Sequence, residues 1–244
     1  MSLGNTTKQG DGVVLDQLRR IGVSLVPGKV LLIYGPSMVG KSLLAWIIAR
    51  EYVGDGVVVI YGSEPHYADQ DYRSLAEKVL TGITHYINYT PYAQDVFKYT
   101  AKLYNLRQRI KDKKLVLILD SLSMIAQREA KKYYVKGITE SRVIAARVVP
   151  LLNALATEIK DMAIQHRALG IIIAHAGSTA GSYRYRGIAD LKPSMSMRTA
   201  HNVDYIVLMQ REQDYAKITL VANRTKSELE GSTITLKLQL PSNK

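Results

Sequence analysis

Cysteine is absent from the 244 residues, which excludes a disulfide framework, a thiolate zinc site, an iron–sulfur cluster and a cysteine nucleophile, and fits an intracellular protein. Long apolar runs are absent too. The segment Leu43-Leu44-Ala45-Trp46-Ile47-Ile48-Ala49 stops at Arg50, well short of the ~18–20 residues a membrane-spanning helix needs, so no membrane partner is expected. The first ten residues are polar and lack the charged-then-apolar layout of a secretory leader, which makes the cytoplasm the expected location. Acidic residues are scarce, with 21 Asp and Glu against 33 Lys and Arg, for a net charge of +12. Phe and Trp occur once each, whereas Tyr occurs 16 times. What remains is the make-up of a globular domain, with 47% hydrophobic and 22% charged residues. A chain this long buries roughly 70–75% of its unfolded surface without help from a disulfide or a structural metal. No repeat, low-complexity tract or linker divides it, so residues 13–244 are expected to form one domain behind a flexible segment 1–12.

The basic excess is concentrated in three windows. Lys98–Lys114 holds seven basic residues and one acidic, Arg128–Arg147 six and two, and Arg184–Arg198 four and one, leaving the rest of the chain close to neutral. Clustering of this kind implies an acidic partner and favours nucleic acid over a merely solvated surface. Tyr99, Tyr104, Tyr133, Tyr134, Tyr183 and Tyr185 sit among these runs, where their rings would either stack on single-stranded bases or pack half-buried. Tyr183-Arg184 and Tyr185-Arg186 join stacking faces to charge, which tilts the expected partner toward single-stranded DNA.

Short apolar runs alternate with helical patterns, the signature of an α/β domain with a mostly parallel sheet covered by helices. Strands are expected at Val30–Tyr34, Val57–Tyr61, Ile83–Tyr89, Leu115–Leu119 and Gly170–His175, with helices at about 41–52 and 68–80. Thr90 and Pro91 read as an N-cap and first turn. The spacing of Tyr92, Val96, Tyr99, Leu103, Leu106 and Ile110 then predicts one helix with a single core-facing stripe. A basic connection is expected after Asp120, and a long helix over 140–166 that Pro150 should kink or break. Gly177–Arg198 has no periodicity and reads as a functional or disordered loop. Three alternating strands near 204–210, 216–221 and 233–238 read as an antiparallel carboxyl-terminal extension.

Gly35-Pro36-Ser37-Met38-Val39-Gly40-Lys41-Ser42 matches the phosphate-binding loop G-x-x-x-x-G-K-[ST] in full, and it lies between a buried strand and a helix, as the mechanism requires. Backbone N–H groups of the loop and of the helix start, up to Leu43, would surround the β-phosphate of ATP. Lys41 would reach the β/γ oxygens and the Ser42 hydroxyl would ligate Mg²⁺. Asp120, closing the most apolar strand, has the form of the second metal-side carboxylate. Glu64 follows the neighbouring strand at the same carboxyl-terminal edge and is the candidate catalytic base. His175 ends another strand there and is either a reporter on the γ-phosphate or a structural residue. The other histidines have no metal-ligand spacing.

From about Val13 to Leu240 these residues resemble the ATPase core of the RecA/RadA recombinase superfamily, and look most like the short archaeal RadA paralogs that lack an N-terminal DNA-binding domain. The likeness rests on Leu15-Asp16-Gln17-Leu18, Pro27–Ser37, Val57–Glu64 and Leu115–Ser121, the last resembling a Walker B strand ending in Asp-Ser. It implies a RecA-like P-loop NTPase fold, with Glu64 as catalytic carboxylate. Ala126–Gly137, with Lys131 and Lys132, would be a first DNA-binding loop, and Gly177–Arg198 the second. Val221-Ala222-Asn223-Arg224 resembles the strand-end motif whose cations reach the ATP of an adjacent subunit. Ala222 replaces the first lysine of that motif, leaving Arg224, helped by Lys226, to act. The function so implied is a slow, DNA-stimulated, Mg-ATP-dependent ATPase that assists homologous recombination or DNA repair, as a homo-oligomer or beside a recombinase partner. The alternative is an ATP-binding regulatory subunit that modulates a recombinase with little turnover of its own.

Overall fold

The computed structural model describes residues 13–178, 188, 189, 191–194 and 201–238. The expected flexible segment 1–12 and the run Tyr183–Arg186 lie outside the described residues. Five strands, β1 (Val30–Gly35), β2 (Val57–Gly62), β3 (Thr84–Tyr89), β4 (Leu115–Asp120) and β5 (Leu169–Ser178), pair in parallel in the order β3-β2-β4-β5-β1. A short β6 (Leu191–Pro193) pairs antiparallel with the end of β5. On the other side of β1 the sheet continues through β7 (Tyr205–Glu212), β8 (Tyr215–Asn223) and β9 (Thr233–Leu236). β7 is parallel to β1, and the β7–β8 and β8–β9 pairings are antiparallel, so the expected extension is reached through one further parallel strand.

Both faces of the sheet are covered, which is why β1, β2 and β4 are buried at every position rather than alternately. In β1, Leu31 and Ile33 face one core while Val30, Leu32 and Tyr34 face the other, following the two-residue period of a strand. The first core is closed by α1 (Val13–Arg20), α2 (Lys41–Val53) and α3 (Gln70–Val79), with Trp46 buried edge-on to Tyr72. The second is closed by α4 (Ala93–Thr100), α5 (Leu103–Ile110), α6 (Leu122–Val135) and α7 (Ser141–Gln165). Asp204 fixes the join between the two halves of the sheet: its carboxylate accepts from Lys160 Nζ at 2.6 Å, Lys29 Nζ at 3.1 Å and the Val30 N–H at 2.8 Å. Among the described residues no helix is long and apolar enough to cross a membrane.

Three expectations change. The helix expected after Thr90 is two helices; Thr90 is buried, and α4 is started by Tyr92, whose N–H the Asp95 carboxylate accepts at 3.1 Å. From Val96 to Ile110 the apolar stripe nonetheless faces the second core. Pro150 does not break α7. Pro150 and Ala146 are both exposed, so water can take the Ala146 carbonyl that the missing N–H leaves without its helical donor. Finally, the basic connection after Asp120, including most of the expected first DNA-binding loop, is the helix α6. The Ser121 side chain caps it by accepting from the Met124 N–H at 3.3 Å, and Leu122, Ile125 and Glu129 form its buried face.

Candidate functional site

Because β1, β2, β4 and β5 are parallel, their last residues, Gly35, Gly62, Asp120 and the His175 region, meet along one edge, where ligands of open α/β sheets bind. β1 runs directly into the P-loop and α2 follows it. Gly35 is required by a close approach: a Cβ there would lie 2.1 Å from the Met209 carbonyl oxygen of β7. Gly40 adopts φ 93° at the N-terminus of α2, and Met38, though not glycine, also has positive φ, at 63° with its side chain in solvent. These left-handed turns curl the loop so that successive N–H groups can converge on one anion. Lys41 is buried and its Nζ donates to the Pro36 carbonyl, which holds the ammonium inside the loop. Burial pushes the Lys41 pKa down, and the carboxylates of Asp120 and Glu64 pull against that shift.

Asp120 lies beneath this loop and is fully enclosed. Burial raises its pKa, opposed by hydrogen bonds from Ser42 and Tyr67. The Tyr67 hydroxyl donates to Asp120 Oδ2 at 2.8 Å, and Gly62 makes this contact geometrically available, since a Cβ there would overlap the Tyr67 ring at 2.3 Å. Ser42 is thereby placed against Asp120, the pairing that a P-loop magnesium requires. Among the described residues no cluster of three or more His, Asp or Glu side chains forms a self-sufficient metal site. The donor set is that of Mg²⁺ shared between one hydroxyl, one carboxylate and phosphate oxygens, so the residues present fit the ion.

Glu64 follows β2 and is oriented by two partners. The Ser121 hydroxyl donates to its Oε1 at 2.7 Å, and His175 Nε2 lies 3.0 Å from the same oxygen. Burial alone would raise the Glu64 pKa, but the hydrogen bonds from His175 and Ser121 outweigh it and hold the carboxyl below its usual range. An ionised Glu64 needs a proton on His175 Nε2, and His175 Nδ1 in turn meets the Ser37 hydroxyl of the P-loop at 3.3 Å. The His175 N–H is held by Ser123 Oγ at 2.9 Å. Around them, Ser63 Oγ accepts from the Ser121 N–H and donates to its carbonyl, and the Asp120–Ser121 peptide is cis. The expected site residues Ser37, Lys41, Ser42, Glu64, Asp120 and His175 are thus brought together.

Two groups of expected residues lie elsewhere. Arg224 follows the end of β8, which is antiparallel to β7, so it stands at the opposite edge of the sheet from the P-loop of its own chain. Asn223 shapes that turn by accepting from the N–H groups of Thr225 and Lys226, which leaves Arg224 and Lys226 exposed. Lys131 and Lys132 are on α6; Lys132 pairs with Glu129 at 2.8 Å and sits 4.2 Å over the Tyr92 ring, while Lys131 faces solvent. The sequence did not single out Ser121, Ser123, Tyr67, or a cavity of about 130 Å³ beside the P-loop between Leu43, Arg211, Tyr215 and Leu238. An arginine and a tyrosine flanking a two-residue hairpin were the available signal for the cavity.

Fold and site together are a P-loop set on an α/β sheet of RecA-like architecture. No protein-family model matches the chain, and no curated protein matches it in sequence. Among solved structures it is similar to the ATPase domain of G40P, with a TM-score of 0.57 and 14% identity over 85% of this chain and 80% of that one. At that identity the likeness is one of fold.

Proposed function

We propose that the chain hydrolyses Mg-ATP and couples that hydrolysis to single-stranded DNA in homologous recombination or DNA repair. The observation that carries the hydrolytic part is the placement of Glu64, ionised and held by Ser121 and His175, at the edge where Lys41, Ser42 and Asp120 converge. Phosphate oxygens of ATP would take the loop N–H groups from Gly35 to Leu43, and the base would lodge in the cavity between Arg211 and Tyr215. Ser42 and Asp120 would hold Mg²⁺, which neutralises charge on the β- and γ-oxygens. Lys41 stabilises the negative charge of the transferring phosphoryl group, and Glu64 orients the attacking water and takes its proton, giving ADP and free phosphate. His175, bonded to both Glu64 and Ser37, links the base to the loop that senses the phosphate.

DNA would bind Lys131 and Lys132 together with Tyr183, Arg184, Tyr185 and Arg186. The clustering of positive charge supports this, and its binding would be steeply salt-dependent. Arg224 can meet ATP only from a neighbouring copy, which is the arrangement a homo-oligomer would use. The reading is tested by phosphate release with magnesium, with and without single-stranded DNA, using Lys41→Ala as the blank. Stimulation by DNA is expected; slow release indifferent to DNA would contradict the coupling and favour a regulatory subunit acting beside a recombinase.

A further inference from the structure

We propose a second nucleic-acid contact at the edge of the sheet opposite the P-loop: a cavity in which a phosphate of a single strand lies against Arg107 and Lys111 while a base stacks on Tyr104. The topology builds this place. β4 and β5 are adjacent and parallel, so the helices that precede them, α5 and α7, both end at the amino-terminal edge of the sheet. Between their ends lies a cavity of about 430 Å³ lined by Tyr104, Arg107, Gln108, Lys111 and His166, within the roughly 300–1,000 Å³ range of small-ligand pockets. Strands of six residues separate it from the P-loop edge by about 20 Å, so it is not part of the ATP site.

Three features give the cavity its chemistry. Tyr104 is 63% exposed on the wall, an aromatic face open to a partner. His166 is 7% exposed, and its ring has no hydrogen-bond partner among the described residues although it lines the cavity. Burial, with the Arg107 charge beside it, lowers its pKa, so at neutral pH it offers the N–H of an uncharged imidazole. The guanidinium of Arg107 is anchored by one bond to the Lys113 carbonyl at 2.7 Å, and Lys111 has no described side-chain partner. Two helix C-termini converge here and would repel an anion, but each carries only about half a negative charge. Asp112 adds one more. Against these stand Arg107 and Lys111 in the cavity, with Arg109, Lys113, Lys114 and Arg167 exposed on the neighbouring surface, so the balance is positive.

That surrounding charge is what selects a strand over a free nucleotide, since a mononucleotide would satisfy only the cavity and leave the outer cations unused. A single aromatic wall in a recess selects an unpaired base over a duplex, whose bases are stacked within it. The inference does not depend on hydrolysis at the P-loop.

Photocrosslinking of the full chain to a thymine oligonucleotide carrying 4-thiothymidine, followed by trypsin digestion, tests it. An adduct is expected on the peptide Leu103–Arg107, and Tyr104→Phe should retain it while Tyr104→Ala loses it. Lys111→Gln, with thermal melting unchanged, should lower the slope of log affinity against log salt by about 0.7, one phosphate contact to a single strand. Adducts confined to peptides of the P-loop edge would overturn this site and leave the DNA-coupled reading standing, whereas absence of all binding would overturn both. Displacement of the Leu103–Arg107 adduct by AMP as readily as by an oligonucleotide of equal phosphate concentration would make this a mononucleotide site and also overturn the proposal.

Discussion

The two edges of the sheet are built on opposite principles. At the carboxyl-terminal edge almost every polar side chain holds another: Tyr67 holds Asp120, Ser121 and His175 hold Glu64, and Ser37 meets His175. At the amino-terminal edge one enclosed cluster, Asp204 with Lys29 and Lys160, is tied, while Arg109, Lys111 and Arg167 stand in solvent without a described side-chain partner. The first arrangement suits the proposed reaction, because orientation achieved in folding need not be achieved again at the transition state. The second provides a field, which needs charge but not fixed geometry. The two arrangements are separated by the length of the sheet's own strands.

The largest break in this comparison should come from the one enclosed cluster at the basic edge. Asp204→Ala leaves Lys160 and Lys29 facing each other beside a freed Val30 N–H, and should cost about 3–5 kcal/mol in denaturant unfolding. Arg224→Ala, exposed on the same edge, should stay within about 0.5 kcal/mol. The pH dependence follows from the direction of the shift: the Asp204 carboxyl is held below its ordinary range, since the hydrogen bonds from Lys160, the Val30 N–H and Lys29 outweigh burial, which acts the other way. Its stabilisation is complete above the unfolded aspartate pKa of about 3.9 and is lost as pH falls through the lower folded value. Asp204→Ala should thus flatten the acid limb of the stability profile.

At the other edge, Gly62→Ala drives a methyl into the Tyr67 ring and should cost about 1–3 kcal/mol while pulling the Tyr67 hydroxyl off Asp120. Loss of magnesium-dependent turnover beyond the loss of folded protein is the readout. Ser121→Ala is smaller, on the order of 1 kcal/mol, but sharper in meaning. With one donor to Glu64 gone, burial counts for more, the carboxyl titrates higher, and the acid limb of the pH–rate profile should move to higher pH. An unmoved limb would mean that Glu64 is not the titrating base. Met38→Gly should be the mildest, within about 1 kcal/mol, because relief of the left-handed backbone is offset by the greater freedom of glycine in the unfolded chain.

The sequence displayed the P-loop edge unusually well because that edge is made of strand ends. Apolar runs that stop at Gly35, at Asp120 and just before Glu64 announce both the strand and the residue that leaves it, so loop and carboxylates were legible together. What stayed hidden was lateral: nothing in the spacing of Ser121, Ser123 or Tyr67 says which strand lies beside which, and their roles depend on β4 lying between β2 and β5. The helix α6 was read as a basic connection because its buried face is narrow and includes Glu129, whose carboxylate accepts from the Ala93 N–H instead of meeting water. Of the two outcomes expected at Pro150, the break is absent: on an exposed face water can take the carbonyl left without its donor, and α7 runs on. The cavity at Tyr104 and His166 joins residues about sixty positions apart, and the sequence showed only half of it, as the basic window Lys98–Lys114.

The central claim is that Glu64 is a held base rather than a binding residue. Measuring ATP affinity and phosphate release side by side in the native chain and in Glu64→Gln tests it most directly. The account predicts magnesium-dependent ATP binding within about threefold of native, and release slowed by about 10²–10⁴-fold. Equal loss of affinity and turnover, or release at the native rate, would contradict it.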